Sequence, residues 1–266
     1  MPVHNAEPYL GAALDSILGQ SWTDFEFVVV DDGSTDGSRA TLKRYAGQDP
    51  RLRLLASDTN EGIVRALNRG LAACSGEYIA RMDGDDIALP DRLARQAAFL
   101  RAHPEASVVG GALSYIDAAG RELGVIRRSD LDRSLLAANP LFHPTVMLRR
   151  THLQDQGLGY EERFRYAEDY YLWLLLSTRG KLAALDEVVL KYRLSAAATR
   201  FQNLKPVLRA TLRVKAAAMA RLGLRPTPAD LLRFTAEALL LLLPAAAVRW
   251  LYLRTTFGKD AGSLAL

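Results

Sequence analysis

The sequence predicts an α/β fold in which a mostly parallel β-sheet is flanked by helices. Short apolar stretches such as residues 25–30 show no polar alternation, which is typical of strands covered on both faces in a parallel sheet. Helical stretches separate them, and this βαβα alternation favours right-handed crossovers. The composition, 49% hydrophobic and 24% charged over 266 residues, is that of a folded globular chain.

The alternation is clearest over the first 112 residues. Strands are expected at 25–30, 53–56, 78–82 and 107–111, and helices at 9–18, 38–45, 63–74 and 92–102. The N-terminus resembles the end of a first strand, so we expect the native strand to begin upstream of Met1. Further along, strands are expected at 143–150 and 186–194, and a helix at 168–180 with Leu172, Leu175 and Leu176 on its buried face.

The predicted organisation is a catalytic-type α/β domain over residues 1–199 and a helical appendage over residues 200–266. Thr227, Pro228 and Asp230 indicate the start of a helix. Pro244 predicts a break between two short helices. The apolar run 238–248 around it is too short to span a bilayer.

The positive charge of the chain is concentrated in this appendage. Its residues include 11 Lys and Arg against 3 Asp and Glu, although the whole chain carries only +4. No interleaving of basic and aromatic residues is present, so nucleic acid is not an expected partner. An anionic membrane surface contacted through residues 200–256 is the preferred interpretation, and the alternative is a cover for the α/β domain or a second subunit.

The compartment expected from the sequence is the cytoplasm, with peripheral attachment to the inner face of the plasma membrane. A single cysteine, Cys74, excludes an internal disulfide and fits a reducing environment. The N-terminus has no basic region followed by an apolar stretch.

Two acidic clusters follow predicted strands. The first comprises Asp31, Asp32 and Asp36, and the second comprises Asp83, Asp85 and Asp86. Ligands of open α/β sheets bind at the carboxyl ends of the strands. Because crowded carboxylates repel one another, they either point into water at a simple turn or hold a cation, and two acidic clusters at equivalent strand ends favour the cation. The Asp-x-Asp turn therefore predicts Mn²⁺ or Mg²⁺ shared with a diphosphate.

Other ligand classes are excluded by missing patterns. The chain contains no Gly-x-Gly-x-x-Gly segment and no phosphate loop ending in Gly-Lys-Ser or Gly-Lys-Thr. An EF-hand starting at Asp83 would need an oxygen ligand at Ile87 and a glutamate at Ala94. Four scattered histidines and one cysteine give no zinc spacing.

Five segments occur in an order and spacing that resemble family 2 glycosyltransferases with the GT-A fold. They are PVHNAEPYL, FVVVDDGSTDGS, NEGIVRALNRGL, GEYIARMDGDD and YAEDYYLWLLL. The resemblance covers roughly residues 1–195. It implies that a sugar is transferred with inversion from a nucleotide-diphosphate donor, with the assistance of Mn²⁺ or Mg²⁺.

The resemblance also implies roles for individual residues. The donor nucleotide is assigned to Pro2, Val3, Glu7, Asp32 and Asp83. Asp85 is implied as the direct metal ligand, beside Asp83. Asp169 is implied as the catalytic base, and Glu168 as a residue that shapes the acceptor pocket.

Four further residues each have two interpretations. His143 either approaches the acceptor or the diphosphate, or it is a satisfied histidine at a strand start. Arg65 and Arg193 contact phosphate or the base pocket, or they form structural salt bridges. Trp173 stacks on a sugar ring or belongs to the core. Leu194 follows Arg193 where many relatives place a histidine, so the resemblance implies no third protein ligand for the metal.

The leading hypothesis is a glycosyltransferase that builds a surface polysaccharide or a lipid-linked oligosaccharide. Its expected donor is a nucleotide-diphosphate sugar, with a UDP-sugar favoured, and its expected acceptor is a saccharide or a polyprenyl-linked saccharide. The alternative is a nucleotide-sugar-binding protein without catalysis. The presence of Asp85 and Asp169 favours the enzyme, because a binding protein has no need of a base.

Overall fold

The first sheet of the protein is parallel throughout. The computed structural model describes residues 1–128, 131, 135–154, 157–194 and 203–257. The sheet has the order β1 (Pro2–Val3), β2 (Phe27–Asp32) and β3 (Leu52–Ser57). Val3 lies opposite Asp31 in the register, so the carboxyl ends of β1 and β2 are level. The sheet thereby brings the first acidic cluster to the same edge as the N-terminal segment.

The second sheet is mixed. Its strands are β4 (Tyr78–Ala80), β5 (Ile87–Ala88), β6 (Ala106–Ile116), β7 (Glu122–Ile126), β8 (Met147–Arg149) and β9 (Lys181–Arg193). The order is β4-β8-β6-β9-β5, with β7 paired to β6, and within it β6 and β9 run parallel while the other pairs are antiparallel. The predicted fold class is confirmed. Parallel pairing occurs in the first sheet and between β6 and β9. Strands joined by a short connection, such as β6 and β7, can pair only in the antiparallel sense.

Five helices of the α/β part occupy the predicted segments with small shifts of their ends, and a sixth, the short α5, was not predicted. They are α1 (Glu7–Leu18), α2 (Ser38–Gln48), α3 (Ile63–Ala73), α4 (Arg92–Ala102), α5 (Thr151–Gln154) and α6 (Glu168–Ser177). The strand expected at 143–150 is shorter than predicted. It begins with a 3₁₀ turn over His143–Thr145, because Pro144 cannot donate to a ladder.

Helix α6 lies between two hydrophobic clusters. Leu172, Trp173 and Leu176 pack toward the second sheet, where Val108 and Leu148 lie. The opposite side of α6 packs on the C-terminal helices. Of the predicted buried face, Leu172 and Leu176 are buried and Leu175 is half-buried. Because the helix is covered on both sides, it is apolar all round, as buried helices are.

The C-terminal part forms three helices, α7 (Leu204–Leu222), α8 (Pro228–Leu240) and α9 (Ala245–Phe257). Helix α7 shares a hydrophobic cluster with α6, in which Val214 and Ala218 pack near Tyr171. The predicted boundary at residue 199 lies outside the described residues, and α7 extends the core of the α/β part.

The predicted signals within this C-terminal part are confirmed. Thr227 and Asp230 form a capping box at the start of α8, and Pro244 lies between α8 and α9. In the described ranges, no helix combines the length and the apolar character that crossing a membrane requires.

A groove of about 740 Å³ lies between β2 and β4, lined by Met1, Val28 and Tyr78 among others. Strand β1 (Pro2–Val3) lies beside this groove and is joined to β2 at its start, where the carbonyl of Met1 accepts a hydrogen bond from Val30 N at 2.9 Å. An upstream start of this strand stays a prediction.

Candidate active site

A cavity of about 700 Å³ lies at the carboxyl ends of β1, β2 and β4 and reaches the start of α6. It is also lined by Val207 and Thr211 of α7. The predicted site residues that line it are Pro2, Val3, Asp32, Asp83, Asp85, His143, Glu168 and Asp169. Four predicted residues lie elsewhere, namely Glu7, Arg65, Trp173 and Arg193.

The first acidic cluster contributes one carboxylate to the cavity. Asp31 is buried and accepts from Arg39 Nε at 2.6 Å, and Asp36 accepts from the backbone N–H of Ser38 at 3.0 Å. Asp32 lines the cavity, and its two oxygens accept from the N–H groups of Glu61 (2.8 Å) and Gly62 (2.9 Å). These amides at the start of α3 fix the orientation of Asp32 and stabilise its charge.

Glu7 does not line the cavity. It begins α1, it is exposed, and its Oε2 accepts from Gly37 N at 2.9 Å. This contact joins α1 to the loop that follows β2. The N-terminal residues that line the cavity are Pro2, Val3, His4 and Ala6, and the donor role predicted for Glu7 is not supported by its position.

The second acidic cluster is organised around a buried arginine. The two terminal guanidinium nitrogens of Arg81 contact the carboxylate of Asp83, with Nη1–Oδ2 and Nη2–Oδ1 each at 2.6 Å. Arg81 is 7% exposed, and such a two-point contact is the strong form of an ion pair. Since Arg81 contacts both oxygens of Asp83, the carboxylate of Asp85 is the freer of the two to take a ligand.

The pKa values of this turn record the crowding of its charges. Burial, together with the neighbouring charge of Asp83, raises the pKa of Asp85 to about 6. Burial and the charges of Asp83 and Asp85 raise the pKa of Asp86 well above its ordinary value. Asp86 is 1% exposed, and its Oδ1 accepts from Arg193 N at 3.0 Å. Asp86 therefore belongs to the support of the turn.

The donor set at this turn fits a hard divalent cation. Asp83 and Asp85 present carboxylate oxygens to the cavity, and Mn²⁺ or Mg²⁺ commonly takes one or two such ligands together with phosphate oxygens and waters. Across the described ranges, no group of three or more His, Cys, Asp or Glu side chains could hold a metal ion. A cation bound here would take its remaining ligands from the substrate and from water.

Arg193 and Gly84 shape the acidic turn from behind. Arg193 is 5% exposed, and its Nε donates to the carbonyl of Asp85 at 2.9 Å. The predicted contact of Arg193 with phosphate or the base pocket is wrong, because its guanidinium is used to hold this backbone. A Cβ on Gly84 would lie 3.2 Å from Val3 Cγ2, so a glycine allows the turn to approach β1.

The opposite wall of the cavity is the start of α6. Asp169 Oδ2 accepts from Asn139 Nδ2 at 2.7 Å, and its Oδ1 accepts from Tyr170 N at 2.7 Å. Glu168 is 9% exposed, and its Oε2 has no hydrogen-bond partner among the described residues. Burial and the charge of Asp169 raise the pKa of Glu168 to about 7. Glu168 is thus a buried carboxyl in the cavity lining, and its buried Oε2 has no partner among the described residues.

The backbone before α6 adopts an unusual conformation. Tyr166 has φ of +79°, in the left-handed region that non-glycine residues rarely occupy. Tyr166 lines the cavity three residues before Asp169. Strained residues of this kind concentrate at functional sites, where the surrounding packing holds them in place.

His143 lies at the floor of the cavity in a buried cluster. Its Nε2 is 2.8 Å from the hydroxyl of Tyr160, and burial and the charge of Arg81 lower the pKa of His143 well below its ordinary value. The ring is therefore neutral at physiological pH. Trp173 packs edge-on to His143 with 5.8 Å between ring centroids, and it is fully buried. Trp173 is a core residue, and the prediction that it stacks on a sugar is wrong.

Arg65 forms a salt bridge at the surface. Its Nε contacts Glu162 Oε1 at 2.8 Å, and both side chains are more than half exposed. The pair links α3 to the 3₁₀ turn Glu162–Phe164. The structural interpretation of Arg65 holds, and its predicted contact with the donor is not supported by its position outside the cavity.

Sequence reasoning missed Arg81, Asn139 and Tyr160. Arg81 carried a signal, because it precedes Asp83 by two residues and side chains alternate along extended chain, so the two point to the same side. Asn139 and Tyr160 carried none, since their partners Asp169 and His143 are 30 and 17 residues away. Their roles depend on the tertiary fold.

Asp32, an Asp-x-Asp turn and the separate acid Asp169 line one cavity of an α/β fold, which is the arrangement of a GT-A-type protein. Solved structures share this fold. S. aureus TarS in complex with UDP-GlcNAc matches with a TM-score of 0.63 at 19% identity, over 98% of this chain and 86% of that one. The mannosyltransferase PcManGT of Pyrobaculum calidifontis, in complex with GDP-Man and Mn²⁺, matches with a TM-score of 0.60 at 21% identity, over 97% and 86%.

The family follows from the sequence comparisons. The family described as "Glycosyl transferase family 2" matches residues 1–157, and the chain belongs to this family. It is similar to the putative glycosyltransferase EpsE of Bacillus subtilis, with 36% identity over 183 residues, which are 68% of this chain and 66% of EpsE. It is also similar to the amylovoran biosynthesis glycosyltransferase AmsE of Erwinia amylovora, with 33% identity over 189 residues, 69% of this chain and 70% of AmsE.

The chain does not span the whole length of these curated relatives. An uncharacterized glycosyltransferase of Haemophilus influenzae is 31% identical over 205 residues, which are 72% of this chain but 63% of the relative.

Proposed function

We propose that this protein transfers a sugar with inversion from a nucleotide-diphosphate donor to a saccharide or lipid-linked saccharide acceptor. The observation that carries the proposal is the composition of one cavity of about 700 Å³. The acidic turn with Asp85 lines one wall, and Asp169 lines the other. A metal-facing carboxylate and a separate base are the groups that displacement of a diphosphate by a hydroxyl requires.

The donor is assigned to the wall formed by Pro2, Val3, Asp32 and the acidic turn. Asp32 is rigidly held and accepts hydrogen bonds, which suits a nucleoside. A UDP-sugar is the favoured donor, and the structural neighbours bind UDP-GlcNAc or GDP-Man, which supports the nucleotide-sugar class. Asp85, with Asp83 beside it, would hold Mn²⁺ or Mg²⁺, which supplies positive charge to the leaving diphosphate.

The acceptor is assigned to the wall formed by α6. In this proposal Asp169 takes the proton from the acceptor hydroxyl as that oxygen attacks the anomeric carbon. Asn139 and the N–H of Tyr170 fix the orientation of the carboxylate of Asp169. Glu168, beside Asp169, shapes the acceptor pocket, and His143 contributes a neutral surface to the same wall.

The biological context we propose is the synthesis of a cell-surface polysaccharide on the cytoplasmic side of the membrane, with the enzyme attached peripherally. The relative AmsE is named for amylovoran biosynthesis, which supports this class of product. No comparison favours the alternative of a nucleotide-sugar-binding protein without catalysis.

The test of the proposal combines donor binding with turnover. A panel of UDP-, GDP- and dTDP-sugars is first screened by thermal shift with Mn²⁺, and release of nucleotide diphosphate is then measured with saccharide acceptors. We expect one donor class to raise the melting temperature and to yield product in wild type. The matched control is Asp169→Asn, which should keep the thermal shift and lose product release.

Two outcomes would contradict the proposal. Donor binding without nucleotide release for any acceptor would favour the non-catalytic alternative. Product release by Asp169→Asn at the wild-type rate would remove the assigned base.

A further inference from the structure

The outer face of the C-terminal helices is strongly apolar. In the described part of the chain, large exposed apolar side chains concentrate between residues 231 and 250; they are Leu231, Leu232, Leu239, Leu242, Leu243 and Trp250, here called the apolar face. Leu232 is 75% exposed and Leu242 is 80% exposed. A contiguous exposed apolar patch on a folded protein marks a surface that contacts another molecule or a membrane.

The apolar face results from the way α8 packs. Leu231, Leu232 and Leu239 fall within an arc of about 100° on this helix, given its 3.6 residues per turn. The other side of α8 turns inward, where Asp230 is buried and Glu237 accepts from the buried Lys215 at 2.7 Å. Asp230 and Glu237 of α8 are therefore used inside the protein, and Leu231, Leu232 and Leu239 are left outside.

The exposed charges on the same part of the molecule are positive. Within residues 203–257, the exposed charged residues are Arg209, Arg213, Arg221, Arg225, Arg233, Arg249 and Arg254. The guanidinium of Arg254 lies over the ring of Trp250, 5.1 Å from its centroid. Arginine next to tryptophan is the pairing found at the level of lipid headgroups.

We propose that the apolar face and these arginines bind the surface of an anionic lipid bilayer. The leucines enter the boundary between headgroups and acyl chains, and the arginines contact the anionic headgroups. Charge decides between this partner and a second copy of the chain, because a symmetric contact would bring the same arginines of two copies together. The inference deepens the proposed peripheral location and rests on it, whereas its test requires no catalysis.

The test is flotation of the full-length protein with vesicles. Vesicles of phosphatidylcholine containing about 30% phosphatidylglycerol are compared with pure phosphatidylcholine at low salt. We expect wild type to float with the anionic vesicles and Leu232→Ser/Leu239→Ser/Leu242→Ser to lose at least about tenfold in the bound fraction. The matched control is Leu123→Ser/Val125→Ser on β7, where both side chains are similarly exposed but lie outside the C-terminal helices, and it should float as wild type does.

A second pair of variants tests the charges. Arg221→Gln/Arg225→Gln should weaken flotation about tenfold, and Lys43→Gln/Arg44→Gln, which removes two exposed charges from α2, should not. Wild type that stays in the soluble fraction with anionic vesicles would overturn the proposal. So would a dimer, seen by light scattering, that the triple leucine variant abolishes while flotation is unaffected.

A different observation carries a second inference, which concerns the loop before β8. The carbonyl of Ala137 accepts from Arg233 Nη1 of α8 at 3.0 Å and from Lys215 Nζ of α7 at 3.4 Å. Two residues later, Asn139 donates to Asp169. A chain of contacts thus runs from the C-terminal helices to the proposed base.

We infer that Asn139 is a positioning residue for Asp169 and that α8 holds Asn139 in place through Ala137. This inference rests on the proposed function, since it assigns a partner to the base. The charged and titratable groups that share this cavity with Asp169 include Asp32, Arg81, Asp83, Asp85, Arg128, His143, Arg165 and Glu168. The amide of Asn139 contacts the carboxylate of Asp169 directly, at 2.7 Å.

The test measures kcat and its pH profile with a soluble acceptor. Asn139→Ala should lower kcat about tenfold with an unchanged donor KM, because it removes a hydrogen bond to a charged group. The acid limb of kcat should move to higher pH, since the charged carboxylate is less well stabilised. Arg233→Gln should give a smaller change in the same direction, and Arg44→Gln, at an exposed arginine of α2, is the control.

The outcomes separate this inference from the proposed function. If Asp169→Asn abolishes turnover but Asn139→Ala leaves the pH profile in place, the positioning role is wrong even if the variant melts at a lower temperature. If Asp169→Asn retains turnover, the proposed base itself is wrong.

Discussion

The two walls of the cavity are built in different ways. The wall proposed for the donor, here called the donor wall, consists of Pro2, Val3, Asp32 and the acidic turn, and the wall proposed for the base, here called the base wall, is the start of α6. On the donor wall, the acidic turn and its charged partner are neighbours in sequence, since Arg81 and Asp83 are two residues apart. On the base wall, Asp169 depends on Asn139, 30 residues away, and α6 depends on packing against α7. The donor wall is therefore largely a local structure, and the base wall exists only when distant segments are assembled.

The two walls also differ in their charges. The acidic turn crowds carboxylates around one buried arginine, and the pKa of Asp85 is raised to about 6 by burial and the charge of Asp83. On the base wall the unfavourable charge falls on Glu168, whose pKa is raised to about 7 by burial and the charge of Asp169. The first arrangement favours a bound cation, and the second favours a carboxyl that exchanges a proton near neutral pH.

The largest expected effect is on the donor wall. Asp85→Asn should abolish turnover and metal-dependent donor binding while the protein stays folded, because Asp85 faces the cavity and supports no other described side chain. Donor binding is measured by thermal shift with and without Mn²⁺. Asp58→Asn, at a fully exposed acid after β3, is the control and should behave as wild type. Normal activity of Asp85→Asn in Mn²⁺ buffer would remove it from the metal site.

The next effect separates the two walls. Asp169→Asn should lower turnover at least about 100-fold, the usual scale for loss of a general base, with little change in donor affinity. Single-turnover kinetics and donor titrations measure the two quantities independently. Equal loss of both would show that Asp169 belongs to the donor wall or to the fold.

A smaller effect is expected when the two-point contact between Arg81 and Asp83 is reduced to a single contact. Arg81→Lys keeps the charge but replaces the two-point contact to Asp83 with a single one, so donor affinity should fall about tenfold. The donor dissociation constant with Mn²⁺ is the measurement, and circular dichroism confirms folding. An unchanged dissociation constant would mean that the orientation of Asp83 does not matter for the donor.

The smallest effect is a dependence on pH at the base wall. The pKa of Glu168 is raised from its ordinary value of 4.5 to about 7, so its neutral form stabilises the fold fully below pH 4.5 and this contribution is lost as the pH rises through about 7. Glu168→Gln removes this titration. At pH 8 the variant should therefore have a higher melting temperature than wild type, and its free energy of unfolding should be higher by at most about 3 kcal/mol. Melting curves of both proteins at pH 5 and pH 8 test this. A difference in melting temperature between variant and wild type that is the same at both pH values would contradict it.

Several features were predictable because they are written in short segments. The apolar run of β2, the acidic turn after β4 and the capping box of α8 each depend on residues within a few positions of one another. The Asp-x-Asp spacing alone predicts that Asp83 and Asp85 share one site, since the two carboxylates belong to a single turn. Errors arose at long side chains, since Arg65, Arg193 and Trp173 each reach partners that the sequence does not place beside them.

By itself, the sequence determined the α/β class, most of the helices and the residues of the acidic turn, because these depend on periodicity and on local hydrogen bonds. The tertiary structure decided which of those residues face the cavity. It paired Asp31 with Arg39 and left Asp32 as the carboxylate on the cavity wall, and it brought Asn139 to Asp169. The physical reason is that the hydrogen-bond partner of a side chain is fixed by packing over the whole chain, whereas the helix or strand to which the residue belongs is fixed mainly by residues near it in sequence.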